Sequence, residues 1–375
     1  MNVAFFTASR ADYGKLKPVI LETKKNKIKY KIFVTGTHLL GEYGSTKTQI
    51  IKDFGKKNLI IFKNQIFGES HSLIFRNTVK EFTRAIGKNH FDCFFIHGDR
   101  LETLAAASVL TFSKIKIAHI EGGELSGTVD EMIRHSVSKL SHIHFVTNSA
   151  AKKVLVNSGE DKKNIFITGS PDIDLFARNL RPSIEEVRKR YDIKFSNYII
   201  SFLHPVTTDN RIEAREKAKI YFETLKEIKD MNIIHFIPNN DDNSIEINNI
   251  LQKKISNKKN IRILKSMRFE FYLTLLENCK FIIGNSSSAV MEAPYFNIPS
   301  VNVGDRQNNR YGLSYIINAS FSKKSILYSI KKAKKIKIKF KPIFGKKGSA
   351  KKIINVLLSR KFSKIKIQKI YKRLR

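Results

Sequence analysis

The residues best suited to chemistry follow two short apolar runs near residue 100. Residues 91–100 read FDCFFIHGDR and residues 115–124 read IKIAHIEGGE. Each apolar run is typical of a buried strand that ends at a glycine-containing turn with carboxylates. Ligands of parallel α/β sheets bind beyond the carboxyl ends of the strands. Asp99 and Glu121 are therefore predicted to lie side by side at one sheet edge, where carboxyl groups could transfer protons.

A helix predicted over residues 128–142 brings further carboxylates to this edge. Asp130 and Arg134 lie four residues apart and share a face, and Glu131 shares its face with the histidine four residues later. Two ordinary surface ion pairs would also produce this pattern. Because the helix directly follows the Glu-Gly-Gly-Glu turn, we favour the interpretation that its first turn delivers both acids to a site beside Glu121.

Three other strand ends carry candidate ligands for an anion. Arg10 and Lys15 flank the start of the first predicted helix, where bare N–H groups and the helix dipole favour negative charge. A solvated basic loop would explain them equally well. His204 ends a strand before Pro205, so it is either a structural histidine or a proton carrier or phosphate contact. Asn239 follows a further strand end.

The strongest anion signal lies in residues 281–294, which read FIIGNSSSAVMEAP. A strand runs into a turn and then into a helix predicted over residues 286–296. An ordinary helix cap explains one serine, whereas Ser286, Ser287 and Ser288 with the bare N–H groups of a helix start could hold a diphosphate. Glu292, two turns into that helix, could accept both hydroxyls of a ribose.

The elements that must position these residues alternate between strand and helix along almost the whole chain. This pattern predicts an α/β fold with two Rossmann-like parallel-sheet domains that face one cleft. The turn Gly-Ser-Pro-Asp at residues 169–172 is the predicted hinge. We expect an N-terminal domain over 1–170 with the acid cluster, a C-terminal domain over 171–355 with the anion site, and a basic tail over 356–375 that could pack back on the N-terminal domain.

Charge is the most unusual property of the composition. The 375 residues carry a formal charge of +36, and residues 321–375 contain 21 Lys and Arg but no acid. Attraction to nucleic acid or acidic lipid is one interpretation. Compositional drift is favoured, because RNP aromatics, helix-turn-helix patterns and zinc-finger spacings are missing. We therefore expect no specific nucleic-acid partner and at most weak adsorption of the basic C-terminus to acidic surfaces.

Other features of the composition favour a cytoplasmic protein. The sequence contains no apolar run of the roughly 20 residues that span a membrane, and it begins with a strand rather than a signal peptide. Cys93 and Cys279 each lie in or beside an apolar run. Buried free thiols are favoured over a disulfide, as suits a reducing compartment.

Taken together, these motifs resemble the hydrolysing UDP-N-acetylglucosamine 2-epimerases, specifically the sialic-acid-pathway branch. The resemblance spans residues 1–315 and implies a GT-B-like pair of Rossmann domains, a UDP-sugar substrate, no metal and no nicotinamide cofactor. We expect a homodimer or a homotetramer. The motifs that carry the resemblance are SRADYGK (9–15), TGTHL (35–39), HGDR (97–100), HIEGGE (119–124), DEMIRH (130–135), GSPD (169–172), HP (204–205) and GNSSS (284–288).

The resemblance also implies residue roles. It assigns proton transfer at sugar C2 to Asp99, Glu121 and Asp130, with Glu131 as an alternative to Asp130, and it places His204 near the leaving diphosphate. It assigns nucleotide contacts to Arg10, Arg100, Ser286, Ser287 and Glu292. The complete set of predicted substrate-binding residues adds Lys15, His38, Arg134, Asn239 and Ser288.

The implied reaction eliminates UDP to give 2-acetamidoglucal and then hydrates it to N-acetylmannosamine. Such a reaction needs several carboxyl groups with different pKa values, and mutual repulsion between the carboxylates pushes these values apart. Two alternatives remain open within the same fold: the same reaction on UDP-2,4-diacetamido-2,4,6-trideoxyglucose, and transfer of the sugar by a GT-B glycosyltransferase. A basic scaffold or nucleic-acid-binding protein with an inactive fold is a third.

Overall fold

A computed structural model describes residues 1–44, 46–239, 241–308, 310, 316–337 and 343–370. These residues divide into two compact units. The first contains Met1–Leu125, Asp130–Ala177 and the described chain from Ile343 onward. The second contains Ser126–Val129 and the described chain from Arg178 to residue 337.

The described part of the first unit is built on seven parallel strands in the order β3-β2-β1-β4-β5-β6-β7. The strands are β1 Asn2–Thr7, β2 Lys29–Val34, β3 Leu59–Ile61, β4 Cys93–His97, β5 Lys116–Ile120, β6 Ile143–Val146 and β7 Ile165–Ile167. The helices between them are α1 Arg10–Lys25, α2 Lys47–Phe54, α3 His71–Ile86, α4 Leu101–Thr111, α5 Val129–Leu140 and α6 Ser149–Asn157.

The described part of the second unit has six parallel strands in the order β10-β9-β8-β11-β12-β13. They are β8 Tyr198–Phe202, β9 Asn232–Phe236, β10 Ile261–Leu264, β11 Ile282–Gly284, β12 Ser300–Val303 and β13 Ile317–Ala319. Its helices are α7 Ile184–Tyr191, α8 Arg211–Lys226, α9 Ser244–Ile255, α10 Phe269–Glu277, α11 Ser288–Met291 and α12 Lys323–Ala333. The chain then returns to the first unit with α13 Ser349–Leu357 and α14 Arg360–Ser363.

Continuous apolar strands form the centre of the first sheet because helices cover both of its faces. Phe5 of β1 stacks on Phe95 of β4 with ring centroids 4.9 Å apart on one face. On the other face, Phe33, Phe82 and Phe94 form an edge-to-face group. These contacts fix β1 and β4 against each other, and they therefore fix the loops that follow the two strands.

The C-terminal helices correct the predicted domain boundaries. Residues 343–355 were expected in the second domain, but Ile353, Ile354 and Leu357 of α13 are buried in the core of the first unit. The carboxylate of Asp174 also accepts backbone N–H groups at the start of α13, including that of Ala350 at 2.9 Å. An apolar face and a buried helix start both need partners, and the first unit supplies them. The N-terminal part of this unit accordingly runs to Ala177 instead of ending at residue 170, with Ser126–Val129 assigned to the second unit.

The predicted helix over residues 286–296 is the other error that affects the site. The structure has α11 over Ser288–Met291, followed by a 3₁₀ turn over Ala293–Phe296. Pro294 has no N–H to continue the helix, which explains the early end. Glu292 therefore lies at the end of α11, not two turns inside a helix.

Five short strands and α-helices of the described residues were not predicted from the sequence, namely β3, β13, α2, α7 and α14. The two strands have three residues each and lie at the edges of their sheets. Both cysteines are buried and free, as predicted. Within the described ranges, no helix combines the length and apolarity needed to cross a bilayer.

The basic tail holds the C-terminal end of α5, the helix that carries Asp130 and Arg134. The Lys369 ammonium donates to the carbonyl oxygens of Lys139 and Ser141, each at 2.8 Å. It also pairs with the Glu160 carboxylate at 2.6 Å. A cation is stabilising at a helix C-terminus, where the last carbonyl groups lack partners within the helix.

Replacing Lys369 by Met should therefore destabilise the first unit. The methionine keeps the apolar stem but removes the charge that stabilises the end of α5 and the Glu160 carboxylate. We expect a loss of about 1–2 kcal/mol in the free energy of unfolding, measured by urea titration. Lys366→Met changes an exposed lysine of the same tail and is the matched control. Equal stability of the two variants would contradict this account.

Candidate active site

Glu121 directly follows β5 in a backbone conformation that is rare for residues other than glycine. Its φ angle is 64°, in the left-handed region, and its N–H donates to the Phe145 carbonyl at 2.9 Å. Such a conformation costs on the order of 1–3 kcal/mol and persists only where surrounding contacts enforce it. The next residue, Gly122, packs so tightly that a Cβ would lie 2.8 Å from His119 Nδ1 and 2.8 Å from Ser138 Oγ.

Two cations and a hydroxyl surround the buried carboxylate of Glu121. Lys15 Nζ lies 3.4 Å from Oε1, and His97 Nε2 lies 3.1 Å from Oε2. The Ser170 hydroxyl donates to Oε1. Burial by itself would raise the pKa of Glu121, but these three partners hold that pKa well below its ordinary value. The expectation that carboxylate repulsion sets the proton affinity is therefore wrong for Glu121, whose charge is stabilised by cations.

His97, the last residue of β4, lies between two carboxylates. Its Nδ1 is 3.7 Å from Asp12 Oδ1, an ion-pair distance, while its Nε2 faces Glu121. Burial would lower the pKa of His97, but Asp12 and Glu121 outweigh burial and raise that pKa to about 9. His97 is consequently an imidazolium at neutral pH, when both ring nitrogens carry protons.

Asp12 is fixed by the start of α1. Its Oδ2 accepts the N–H groups of Ala8 at 3.2 Å and Ser9 at 3.0 Å, while the Ser9 hydroxyl accepts the N–H of Asp12 at 3.3 Å. This reciprocal pair is a capping box. Burial would raise the pKa of Asp12, but its pairing with His97 lowers that pKa. The helix cap therefore also supplies a charged partner for His97.

Lys15 extends the same network toward the turn that follows β7. Its Nζ lies 2.7 Å from Asp172 Oδ2 and 3.1 Å from Ser170 Oγ. The Ser170 hydroxyl is also within hydrogen-bonding distance of Asp172, so its single proton can serve either Asp172 or Glu121. Lys15 was predicted to bind substrate; its ammonium contacts these protein groups, and the residue is as buried as Glu121.

A second charged group surrounds Arg134, which is buried on α5. Arg134 Nη2 pairs with Asp99, and Nη1 donates to the Glu124 carbonyl at 2.8 Å. Burial would lower the pKa of Arg134, but the negative charges of Asp99, Glu124 and Asp130 raise it. Asp99 keeps 28% of its side chain exposed. Arg134 is therefore paired with a partly exposed carboxylate.

The register of β4 and β5 places Asp99 and Glu121 after adjacent strand ends, as predicted, because His97 pairs with Ile120. Glu131 instead lies 3.9 Å from His135 along α5, with 30% of its side chain exposed. The sequence also allowed this surface contact, but burial and the charge of Arg134 lower the pKa of His135 and weaken its pairing with Glu131.

Three predicted ligands in the first unit have different surroundings. Arg100 occupies the N-cap position of α4 without a side-chain capping hydrogen bond, and its Nε lies 3.5 Å from Glu102. Arg10 lies in the first turn of α1, near enough to His38 to contribute to lowering its pKa. His38 was predicted to contact substrate, but it is fully buried and its two ring nitrogens contact the hydroxyls of Thr7 and Thr46. Burial chiefly lowers the pKa of His38 to about 3, so it is a neutral structural residue.

In the second unit, His204 is held in one neutral tautomer. The Asn239 N–H donates to His204 Nδ1 at 3.2 Å. The Asn285 side-chain amide accepts the backbone N–H of His204 and donates to its carbonyl oxygen, each at 2.8 Å. Burial, aided by the charge of Arg306, lowers the pKa of His204 to about 3. Its proton therefore lies on Nε2, which can donate a hydrogen bond but does not gain a proton near neutral pH. The geometry favours an anion contact over a proton carrier.

Arg306 and Asp241 complete this group, and sequence analysis missed both. Arg306 Nη1 lies 3.4 Å from the Asn285 carbonyl, and Nη2 lies 3.8 Å from Asp241 Oδ2. Asn239 Nδ2 donates to Asp241 at 2.5 Å. Arg306 lies just after β12, with no motif around it to indicate this contact.

The serine-rich turn after β11 is only partly arranged as predicted. Ser286 Oγ accepts the N–H of Ser288 at 3.3 Å. The Ser288 hydroxyl bonds to that of buried Tyr272, and the nearby charge of Glu292 adds to the effect of burial in raising the pKa of Tyr272. Ser287 is less buried than its two neighbours. Ser288 thus makes a contact within the second unit, and its role in anion binding stays a prediction.

Comparison with solved structures shows the class of fold. UDP-N-acetylglucosamine 2-epimerase of Methanocaldococcus jannaschii, solved in complex with UDP-N-acetylglucosamine and UDP, matches with a TM-score of 0.82 and 22% identity, over 95% of this chain and 99% of that one. The Neisseria meningitidis enzyme bound to UDP-N-acetylglucosamine matches with a TM-score of 0.79 and 19% identity, over 96% of this chain and 100% of that one. The predicted α/β fold of two parallel-sheet domains, GT-B-like, is confirmed.

Sequence comparison shows the family. The family model described as UDP-N-acetylglucosamine 2-epimerase matches residues 21–358. The UDP-N-acetylglucosamine 2-epimerase of Neisseria meningitidis serogroup B is 42% identical over 88% of this chain and 87% of its own length. The UDP-N,N'-diacetylbacillosamine 2-epimerase (hydrolyzing) of Legionella pneumophila is 32% identical over 92% of each chain. The chain belongs to the UDP-N-acetylglucosamine 2-epimerase family.

The charge of His97 should make stability depend on pH. A histidine with a raised pKa contributes stability that is complete below its unfolded value of about 6.5 and is lost as pH rises through its folded value of about 9. We expect the free energy of unfolding to fall over this range by at most about 1.4 kcal/mol per pH unit relative to His97→Gln. Urea titrations at pH 6 to 10 measure this difference.

His90→Gln, which replaces an exposed histidine of the same unit, should keep the wild-type slope. The same pH slope in the wild type and His97→Gln would show that His97 is not held as an imidazolium.

Proposed function

We propose that the chain is a hydrolysing 2-epimerase that converts UDP-N-acetylglucosamine to UDP and N-acetylmannosamine, a precursor for sialic acid synthesis. The observation that carries this proposal is the buried contact between Glu121 and protonated His97. Glu121 follows β5, and Asp99 follows the adjacent strand β4. Removing and returning a proton on carbon needs such groups, whereas sugar transfer to an acceptor does not. The names of several relatives, including the one 42% identical, support the substrate class.

The first half of the reaction breaks the bond between C1 and the diphosphate. The C2 proton of a 2-acetamido sugar is not acidic until positive charge develops at C1. His204 offers an N–H donor and Arg306 a cation within one polar group. Donors of this kind stabilise the negative charge that develops on a departing diphosphate.

A carboxylate then removes the C2 proton and leaves 2-acetamidoglucal. Asp99 suits this step because its carboxylate is partly exposed and paired with Arg134, whose guanidinium stays charged. Asp130 contributes negative charge at the same arginine. We favour it over Glu131, whose side chain faces His135.

In the second half, water adds at C1 while an acid protonates C2 in the opposite stereochemical sense. Glu121 suits this step because its carboxylate contacts a protonated partner. Asp99 and Glu121 therefore have different partners, an arginine that stays charged and a histidine that can give up a proton. This separation fits a reaction that needs a base and an acid in turn.

A second candidate substrate is UDP-2,4-diacetamido-2,4,6-trideoxyglucose. Relatives from Legionella pneumophila and Campylobacter jejuni, each 32% identical to this chain, are named for the N,N'-diacetylbacillosamine nucleotide. The relative with 42% identity favours N-acetylglucosamine. Both sugars present the same reacting carbons, C1 and C2, so the proposed residue roles hold for either.

Incubation with UDP-N-acetylglucosamine alone should release UDP and N-acetylmannosamine without an acceptor. In D₂O the product should carry deuterium at C2, because the original proton exchanges with solvent at a carboxyl group. Mass spectrometry and proton NMR measure both results, with the diacetamido nucleotide run in parallel. A strict need for an acceptor would indicate a glycosyltransferase, and an unlabelled product would exclude reaction at C2.

Asp99→Asn, Glu121→Gln and Asp130→Asn should each lower turnover by roughly 10² or more, since each removes a group that transfers a proton or supports one. UDP binding, measured by calorimetry, should remain, because these residues lie in a different unit from His204 and Arg306. Glu216→Gln neutralises an exposed carboxylate on α8 and is the control. Full activity in all three variants would refute the assignment.

A further inference from the structure

We propose that His97 is a positioning residue that supplies the proton which Glu121 returns to C2, so that the two side chains act as one acid in the hydration step. This inference rests on the proposed function, because it assigns a source to a proton which that reaction requires. The family resemblance assigns no role to His97, whereas its contacts in the structure indicate one.

The two carboxylate oxygens of Glu121 have different neighbours. Oε1 faces the ammonium of Lys15 and accepts from Ser170, whereas Oε2 faces His97 Nε2 at 3.1 Å. An ammonium beside Oε1 favours the anion and is held in place by Asp172. Oε2 is therefore the oxygen at which a proton can arrive, and the imidazole N–H of His97 is directed at it.

The remaining contacts of His97 favour a charged ring that can recover its proton. Asp12 Oδ1 lies 3.7 Å from Nδ1, on the opposite side from Glu121. When Nε2 gives up its proton, Asp12 still supports a proton on Nδ1, so the ring remains a correctly oriented neutral tautomer. Other charged or titratable groups act on His97, Asp12 and Glu121 or on their neighbours. They are Lys15 and Arg10 of α1, Arg100 before α4, His119 of β5, Asp172 and buried His38.

The proton transfers balance without any co-reactant. The Nε2 proton of His97 passes to Glu121 Oε2 as the same carboxyl group delivers a proton to C2 of 2-acetamidoglucal, so Glu121 is a carboxylate before and after the step, as its lowered pKa requires. The electron pair of the C1–C2 double bond forms the new C2–H bond, and water oxygen bonds to C1. The added water loses one proton, which returns through solvent to His97. The net change is the addition of one water molecule.

His97→Gln tests this proton relay from His97 through Glu121 to C2, because glutamine keeps an N–H donor for Glu121 but has no acidic proton to transfer. With UDP-N-acetylglucosamine as substrate, we expect N-acetylmannosamine formation to fall by about 10². UDP release should fall by less than about 10-fold, so 2-acetamidoglucal should appear in solution. Liquid chromatography with mass spectrometry measures all three compounds in one reaction. His90→Gln, at an exposed position, should behave as the wild type.

A purely structural role for His97 would give a different result. UDP release and N-acetylmannosamine formation would then fall by the same factor in His97→Gln, and this outcome would overturn the proposal. Failure of the proposed function is distinguishable, because the wild type itself would then release no UDP from either nucleotide sugar, and the relay would be refuted with it. Urea titration and far-UV circular dichroism of each variant verify that the first unit, which contains His97, is folded.

Asp12→Asn provides a second readout that a structural role would not change. The asparagine oxygen can still accept the N–H groups of Ala8 and Ser9, so the cap of α1 is kept while the negative charge beside His97 is lost. The rate of 2-acetamidoglucal hydration in the wild type should decline as pH rises through about 9. In Asp12→Asn this decline should shift to lower pH by on the order of one unit. An unchanged pH profile would contradict the relay.

Discussion

The buried carboxylate of Glu121, held between the Lys15 ammonium and the His97 imidazolium, is the interaction on which the first unit depends. Breaking a buried ion pair by removing one partner costs on the order of 3–5 kcal/mol, because the other charge stays buried. The strained backbone of Glu121 adds to this constraint, since the side chain reaches both cations from a left-handed conformation. The surrounding elements are arranged so that no member of the network is left with an uncompensated charge.

This network joins segments that are distant in sequence. Asp12 caps α1 and supports His97 at the end of β4, while Lys15 binds Asp172 in the turn after β7. Two residues beyond Asp172, Asp174 accepts N–H groups at the start of α13. The return of the C-terminal chain to the first unit is thereby linked to the position of Lys15, and the same chain further on supplies Lys369 to the end of α5. Both ends of the described chain thus support the candidate site.

The fold and the approximate location of the site could be predicted from the sequence because both depend on local patterns. Apolar runs such as that of β4 identify strands, and polar residues directly after them, such as Asp99, mark the sheet edge. The contacts that could not be predicted join residues distant in sequence. Lys15 contacts a carboxylate 157 residues away, and His38 contacts two threonines that its own motif does not contain. The role of His97 depends on charges from Asp12 and Glu121, which no local pattern relates to it.

The protons on the two ring nitrogens of His97 can be observed directly. Nitrogen NMR of the protein labelled with ¹⁵N-histidine reports whether each ring nitrogen carries a proton, and His97→Gln identifies the signals. The account predicts that both nitrogens of His97 remain protonated at pH 8 and that the ring titrates near pH 9. Titration at or below the ordinary histidine pKa of 6.5 would contradict it, because Asp12 and Glu121 would then not hold the imidazolium against the effect of burial.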